Sequence, residues 1–139
     1  METFSFESGV KEFEVNGSTV LKFNPTDSEF ISRLFDAFDT LDKKQDSYKS
    51  EVERTANKRE IFDTAKKMDA EMREIIDAAF GDPVCDSLFG KMNVYALGNG
   101  LPVWCNFMLA VMDQIDTTFA REQKLTNPRI AKYTAKYKK

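Results

Sequence analysis

At 139 residues, 42% of them hydrophobic, the chain is of single-domain length and can fill one core but not two. It contains no histidine, only two cysteines and a net charge of −3, which excludes imidazole-based catalysis, a zinc site built from Cys and His, and a whole-chain basic surface for nucleic acid. No run of about 20 apolar residues and no leader with a basic and an apolar region is present, so the sequence predicts a soluble, intracellular protein with no membrane partner.

The first element expected is a hairpin at about residues 10–23, where β-branched and aromatic residues flank Asn16-Gly17. Two registers compete. A two-residue turn pairs Val15 with Ser18 and splits the apolar residues between faces. A three-residue loop puts Phe13, Val15, Thr19, Leu21 and Phe23 on one face, which suits burial better.

Asn24-Pro25 ends the extended segment, and Thr26-Asp27-Ser28-Glu29 has the form of a capping box. A core-facing helix follows, with Phe30, Ile31, Leu34, Phe35, Phe38 and Leu41 on its apolar face. Residues 42–60 are polar, with Tyr48, Val52 and Ala56 as a thin stripe. They predict an exposed helical stretch with a break within 43–48, continuing into a helix of about 30 residues. Its apolar stripe, Ile61, Phe62, Ala65, Met68, Met72, Ile75, Ile76, Ala79 and Phe80, ends at Gly81 as a C-cap.

The next stretch, residues 80–107, holds four of the six glycines and both cysteines. Asp82-Pro83 reads as an N-cap with proline at the first helical position, opening a short helix closed by Gly90. Residues 91–100 read as either a second short helix or a loop. From Leu101-Pro102 the last helix presents Val103, Trp104, Phe107, Met108, Val111, Met112, Ile115 and Phe119, and it should be the most buried element. The fold class expected is mainly α (α+β): a helical bundle with an N-terminal β-hairpin. Residues 1–123 form one domain in this reading, and 124–139 a basic tail or short helix. That tail carries six basic residues and no acid, so the first 123 residues hold −9.

The chemistry-bearing residues do not assemble into a catalytic motif. Cys85 and Cys105 lack CxxC spacing and a histidine partner, and Asp86 disfavours a thiolate, so both read as buried thiols. Acidic pairs such as Asp36 with Asp39, Glu71 with Glu74, and Asp113 with Asp116 lack the Glu-x-x-His of di-metal bundles, and a solvated helix face accounts for them. Gly98-Asn99-Gly100 has Val103 where a dinucleotide fingerprint needs glycine, so the glycines read as helix punctuation. No enzyme activity, cofactor or metal is expected.

The runs LDKKQ, MDAEMREIIDAAFGDPVCDSLFG, MNVYALGNGLPVWCNFMLAVMDQIDTTFAREQ and TNPRIAKYTAKY resemble a family of small proteins from the tail-gene regions of Gram-positive phages and prophages. The resemblance covers most of the chain from residue 10 onward. It implies a tail assembly chaperone, a non-enzymatic protein in the host bacterial cytoplasm whose partners are the tape measure protein and the tail tube protein. It also implies a frameshifted longer product, for which adjacent Lys138 and Lys139 would supply A-rich codons. Candidate client contacts are Met68, Met72, Met92, Tyr95, Leu97, Trp104 and Met108, because methionine-rich surfaces adapt to varied partners; for each of them, a place in the domain's own core is the competing reading. A second reading is a virion component forming a homo-oligomer or ring. In that case Arg129, Lys132, Tyr133, Lys136 and Tyr137 of the tail would reach the acidic body of a neighbouring copy. Nucleic acid binding through the same tail ranks third, since phosphate contact wants a broader basic surface.

Overall fold

The computed structural model describes residues 1–55 and 57–125. The basic tail expectation, with Arg129, Lys132, Tyr133, Lys136 and Tyr137, lies outside the described residues. Strands β1 (Lys11–Val15) and β2 (Thr19–Phe23) pair antiparallel, with Val15 opposite Thr19, Phe13 opposite Leu21 and Lys11 opposite Phe23. This is the three-residue-loop register. Burial decides it: Thr19, Leu21 and Phe23 are buried and Phe13 and Val15 half-buried on one face, while Glu12, Glu14, Val20 and Lys22 point outward.

Helix α1 (Ser28–Arg54) starts at Asp27, whose carboxylate accepts from the Glu29 amide at 3.0 Å. The expected capping box is corrected. Thr26 is instead engaged by Asn24 Oδ1, to which its amide and its hydroxyl both donate at 2.8 Å, so it belongs to the turn before the helix. The expected break within 43–48 is also corrected, because α1 runs unbroken to Arg54 and the chain leaves the helix at Thr55, in extended conformation. Asn57 then caps α2 (Lys58–Phe80) by accepting from the Arg59 amide at 2.9 Å. The boundary between the two helices thus moves from 43–48 to 55–57, which lengthens α1 to 27 residues and shortens the expected helix of about 30 residues to the 23 of α2.

The two helices run antiparallel, as Phe30 meets Phe80 at 5.3 Å between ring centroids near one end and Lys44 meets Glu71 nearer the other. Their buried residues are Phe30, Leu34, Ala37 and Leu41 on α1, and Met72, Ile76 and Ala79 on α2. Among the described residues from 42 to 71 none is fully buried, and past Tyr48 and before Ala65 the pair stands out from the body. Phe35 and Phe62, expected on the core faces, are 49% and 70% exposed. In each case the neighbours on the true inward face, Leu34 and Ala37 or Ala65 and Met68, take the space.

Gly81 ends α2 as expected, its amide donating to Ala78 O at 3.2 Å. A short helix α3 (Cys85–Phe89) follows, starting later than Asp82-Pro83 would have it. Next come β3 (Leu97–Gly98) and β4 (Leu101–Pro102), paired antiparallel as a second hairpin. Helix α4 (Val103–Lys124) completes the described chain and runs antiparallel to α1, with Trp104 against Phe38 at 5.5 Å. It carries six buried residues, more than α1 or α2. The expected fold class, a bundle with one N-terminal hairpin, is thus corrected, among the described residues, to four helices with two small, separate antiparallel hairpins. The physical reason is a second Asn-Gly turn: Asn99 has φ 55° and Gly100 φ 85°, the left-handed pair that a two-residue hairpin loop demands. No helix among the described residues is long and apolar enough to cross a membrane.

Candidate functional site

The connector between α2 and α4, residues 81–102, hangs on one face of α2. Ala65, Asp69, Arg73 and Asp77 recur at four-residue spacing, so they stack along that face. Each holds a different part of the connector. Asp77 Oδ1 accepts from the Val84 and Cys85 amides at 2.9 Å each, capping α3 from the neighbouring helix in place of the expected Asp82. Arg73 donates to Gly90 O at 2.8 Å and Met92 O at 2.7 Å, pairs with Asp69 at 3.0 Å and Asp86 at 3.2 Å, and lies 6.0 Å from the Phe89 ring. Asp69 Oδ1 accepts from the Val94 amide at 2.7 Å, and Asn93 Nδ2 donates to Ala65 O at 3.0 Å. The connector then supplies acceptors for α4, whose N-cap Pro102 has no side-chain cap: the Val103 and Trp104 amides donate to Ala96 O and Val94 O.

Fixed in this way, the connector forms one wall of an apolar cleft. A cavity of about 300 Å³ lies between Leu88, Phe89 and Met92 on one side and Val103, Phe107 and Ala110 of α4 on the other, and it reaches Val15 at the hairpin. It adjoins a second cavity of about 210 Å³ between β1 and α4, lined by Phe13, Leu21, Phe23 and Val111. The two share Val15, Asn16, Phe107 and Ala110, and so form one trough along α4. Its lining is apolar and aromatic with Asn106, Asn16, Glu14 and Gln114 as polar members, the composition of a surface that receives apolar side chains.

The candidate client residues divide between trough, surface and core. Met92 lines the trough and is 52% exposed, and Leu97 on β3 is 75% exposed. Met72, Trp104 and Met108 belong to the core, at 0%, 2% and 0% exposure. Trp104 is held there by a hydrogen bond from its indole Nε1 to Gln45 Oε1 at 2.8 Å. Met68 is half-buried on α2. Tyr95 stacks on Tyr48 at 4.5 Å on the α1–α2 side, and its buried hydroxyl finds no hydrogen-bond partner. Burial, with Tyr48, Glu71 and Asp69 nearby, pushes its pKa up to about 12.

The two thiols are free and differ in exposure. Cys85 is fully buried, and burial together with the Asp77 carboxylate pushes its pKa far up, so it stays a neutral thiol. Cys105 is half-buried and shifted upward by the same desolvation, with Asp42 adding to it. Neither has the electropositive surroundings that make a reactive thiolate. Among the described residues no group of three or more His, Cys, Asp or Glu is placed to hold a metal ion.

The trough-lining Leu88, Phe89, Val103, Phe107 and Ala110 were not singled out as contact residues from the sequence, and neither was the ladder of Asp69, Arg73 and Asp77. The ladder's four-residue spacing was a usable signal. The trough had none, because its walls come from three separate segments. Comparison of the chain with protein-family models, curated proteins and solved structures finds no match.

Proposed function

We propose that the protein is a non-enzymatic tail assembly chaperone, acting by covering apolar segments of a tape-measure-like client. The observation that carries this reading is the open apolar trough along α4, with flexible Met92 at its mouth. An amphipathic client helix offers apolar side chains at three- and four-residue spacing, and a groove of this kind takes them one turn after another. Methionine suits such a wall because its unbranched thioether adapts to differently shaped side chains. Buried Met72, Trp104 and Met108 support the trough from beneath, and Met92 and Leu97 meet the client. The resemblance of the connector and α4 sequences to phage tail-region proteins supplies the identity of the client.

Co-expression with a tape measure fragment tests the reading. A soluble complex is expected, and Met92→Glu, which puts a charge at the mouth of the trough, is expected to weaken it at least tenfold, a loss of about 1.4 kcal/mol or more. A fragment that remains insoluble and forms no complex would sink the proposal.

A further inference from the structure

The N-terminal arm is the one long segment of the described chain that leaves large apolar side chains in water without belonging to a helix or strand. Residues 1–8 are all exposed, with Phe4 at 92% and Phe6 at 79%. Two phenylalanines two residues apart fall on one face of an extended chain, with Thr3, Ser5 and Glu7 on the other. That is the pattern of a strand lacking its sheet. The body offers the matching vacancy: among the described residues β1 pairs only with β2 and no strand pairs with its outer edge, and beside that edge lies the 210 Å³ cavity lined by Phe13, Val15, Phe107 and Val111. An apolar cavity of about 150 Å³ already accepts a benzene ring, so this one has room for a phenyl group.

The arm is directed away from its own cavity. Asn24, just beyond β2, donates from Nδ2 to Ser8 O at 2.9 Å and so ties the base of the arm to the β2 side of the hairpin. Gly9 makes the tie possible. It sits at φ +76°, and a Cβ there would come 2.6 Å from Asn24 Nδ2. The base of the arm lies along α4 at Thr118 to Gln123, whereas the cavity adjoins Phe107 to Gln114, upstream by roughly 15 Å at 1.5 Å per residue. To reach its own cavity, the arm would have to release Asn24 and double back.

We propose that a second copy of this chain is the occupant: residues 2–7 of one protomer add as a strand to the free edge of β1 in its partner, and Phe4 and Phe6 turn toward the cavity between β1 and α4. The exchange is reciprocal, giving a closed two-fold pair. The area is sufficient. Each cavity seats one ring and the second covers its mouth, so two rings buried fully and two by about half come to roughly 450–750 Å², and with an equal area on the receiving surfaces the total of roughly 900–1,500 Å² reaches the range of stable interfaces. The third strand also stabilises a hairpin that is marginal with two. The arm uses the hairpin half of the trough and leaves the Met92 half open, so the inference does not depend on the client proposed above.

Light scattering on the full chain at about 100 μM, above the dissociation constant expected of an interface of this size, tests the inference. Wild type is expected at twice the monomer mass, and both the deletion of residues 2–7 and the double variant Phe4→Ser/Phe6→Ser at the monomer mass. Residues 2–7 are all exposed and belong to no helix or strand, so both variants should keep the far-UV spectrum of wild type. As a second measurement, Phe6→Cys and Ala110→Cys are made in separate chains in a Cys105→Ser background, mixed and oxidised. A disulfide-linked heterodimer formed in the mixture and absent from either chain alone supports the exchange. A monomeric wild type, variants that keep the dimer mass, or a disulfide closing within one chain when both cysteines are placed together would overturn it.

Discussion

Arg73 organises the connector, and replacing it with methionine shows how much of the trough depends on one side chain. The substitution keeps most of the stem and removes the guanidinium fork, which makes four polar contacts. Asp86 is 95% exposed, so its pairing contributes little. Gly90 and Met92 are exposed residues, and water replaces part of what their carbonyls lose, leaving about 1 kcal/mol for each contact. The largest loss is at Asp69, where both partners are below 20% exposed. A carboxylate deprived of its cation there costs about 1–2 kcal/mol more. Arg73→Met is therefore expected to destabilise the protein by about 3 kcal/mol, measurable by urea denaturation followed through Trp104, the sole tryptophan. Hydrogen exchange should accelerate at the Val94 amide, held by Asp69, and at the Met92 amide, while the α1 core between Phe30 and Leu41 changes less. Arg73→Lys retains the charge but cannot fork between two carbonyls and a carboxylate, so it should fall between the two. A loss below about 0.5 kcal/mol with unchanged connector exchange would refute the claim that Arg73 holds the trough wall.

Two further outcomes follow from the core. Gln45→Met removes the acceptor of the buried Trp104 indole and should cost about 1–3 kcal/mol; a change below about 0.5 kcal/mol would mean that water takes over the indole N–H. Cys85 has its pKa raised in the folded state, so the folded protein holds the proton more tightly. That contribution is intact below the unfolded value near 9.0 and is lost as pH rises above it, at up to about 1.4 kcal/mol per unit. Urea stability of wild type should then fall between about pH 8.5 and 10.5 more steeply than that of Cys85→Ala, and parallel slopes would contradict this.

The same dipeptide was informative at one end of the chain and passed over at the other. Asn16-Gly17 announced a hairpin, and the alternation of Phe13, Val15, Thr19, Leu21 and Phe23 chose its register. Asn99-Gly100 makes the tighter two-residue turn, yet its strands have two residues each, too short for any alternation to register. Long periodic stripes located α2 and α4 well because many residues vote on one face. They did less well at single positions: Phe35 and Phe62 are hydrophobic enough to join the stripe but sit at its margin, where only the neighbouring element decides burial. The end of α1 was misplaced because a polar helix with Tyr48 stacked on Tyr95 and Gln45 bound to Trp104 is held by partners 47 and 59 residues away. Asp69, Arg73 and Asp77 had a readable spacing, but acidic and basic residues at that interval are as common on solvated faces, and only the arrival of the connector distinguishes the two.

Past Tyr48 on α1, which stacks on Tyr95, and before Ala65 on α2, which accepts from Asn93, no hydrogen bond, ion pair or aromatic contact among the described residues ties this projecting section to the connector or to α4. Its length is therefore uncoupled from the packing of the body. Seven residues inserted into each helix past this point, two turns and about 10 Å, would restore nearly the same faces to register and leave every buried side chain in place. An insertion of two or five residues in one helix alone would rotate its stripe away from the other and splay the tip. Natural length variation in this protein should accordingly collect between residues 49 and 64, in matched steps on both helices, so that the projection works as an adjustable spacer on a constant base.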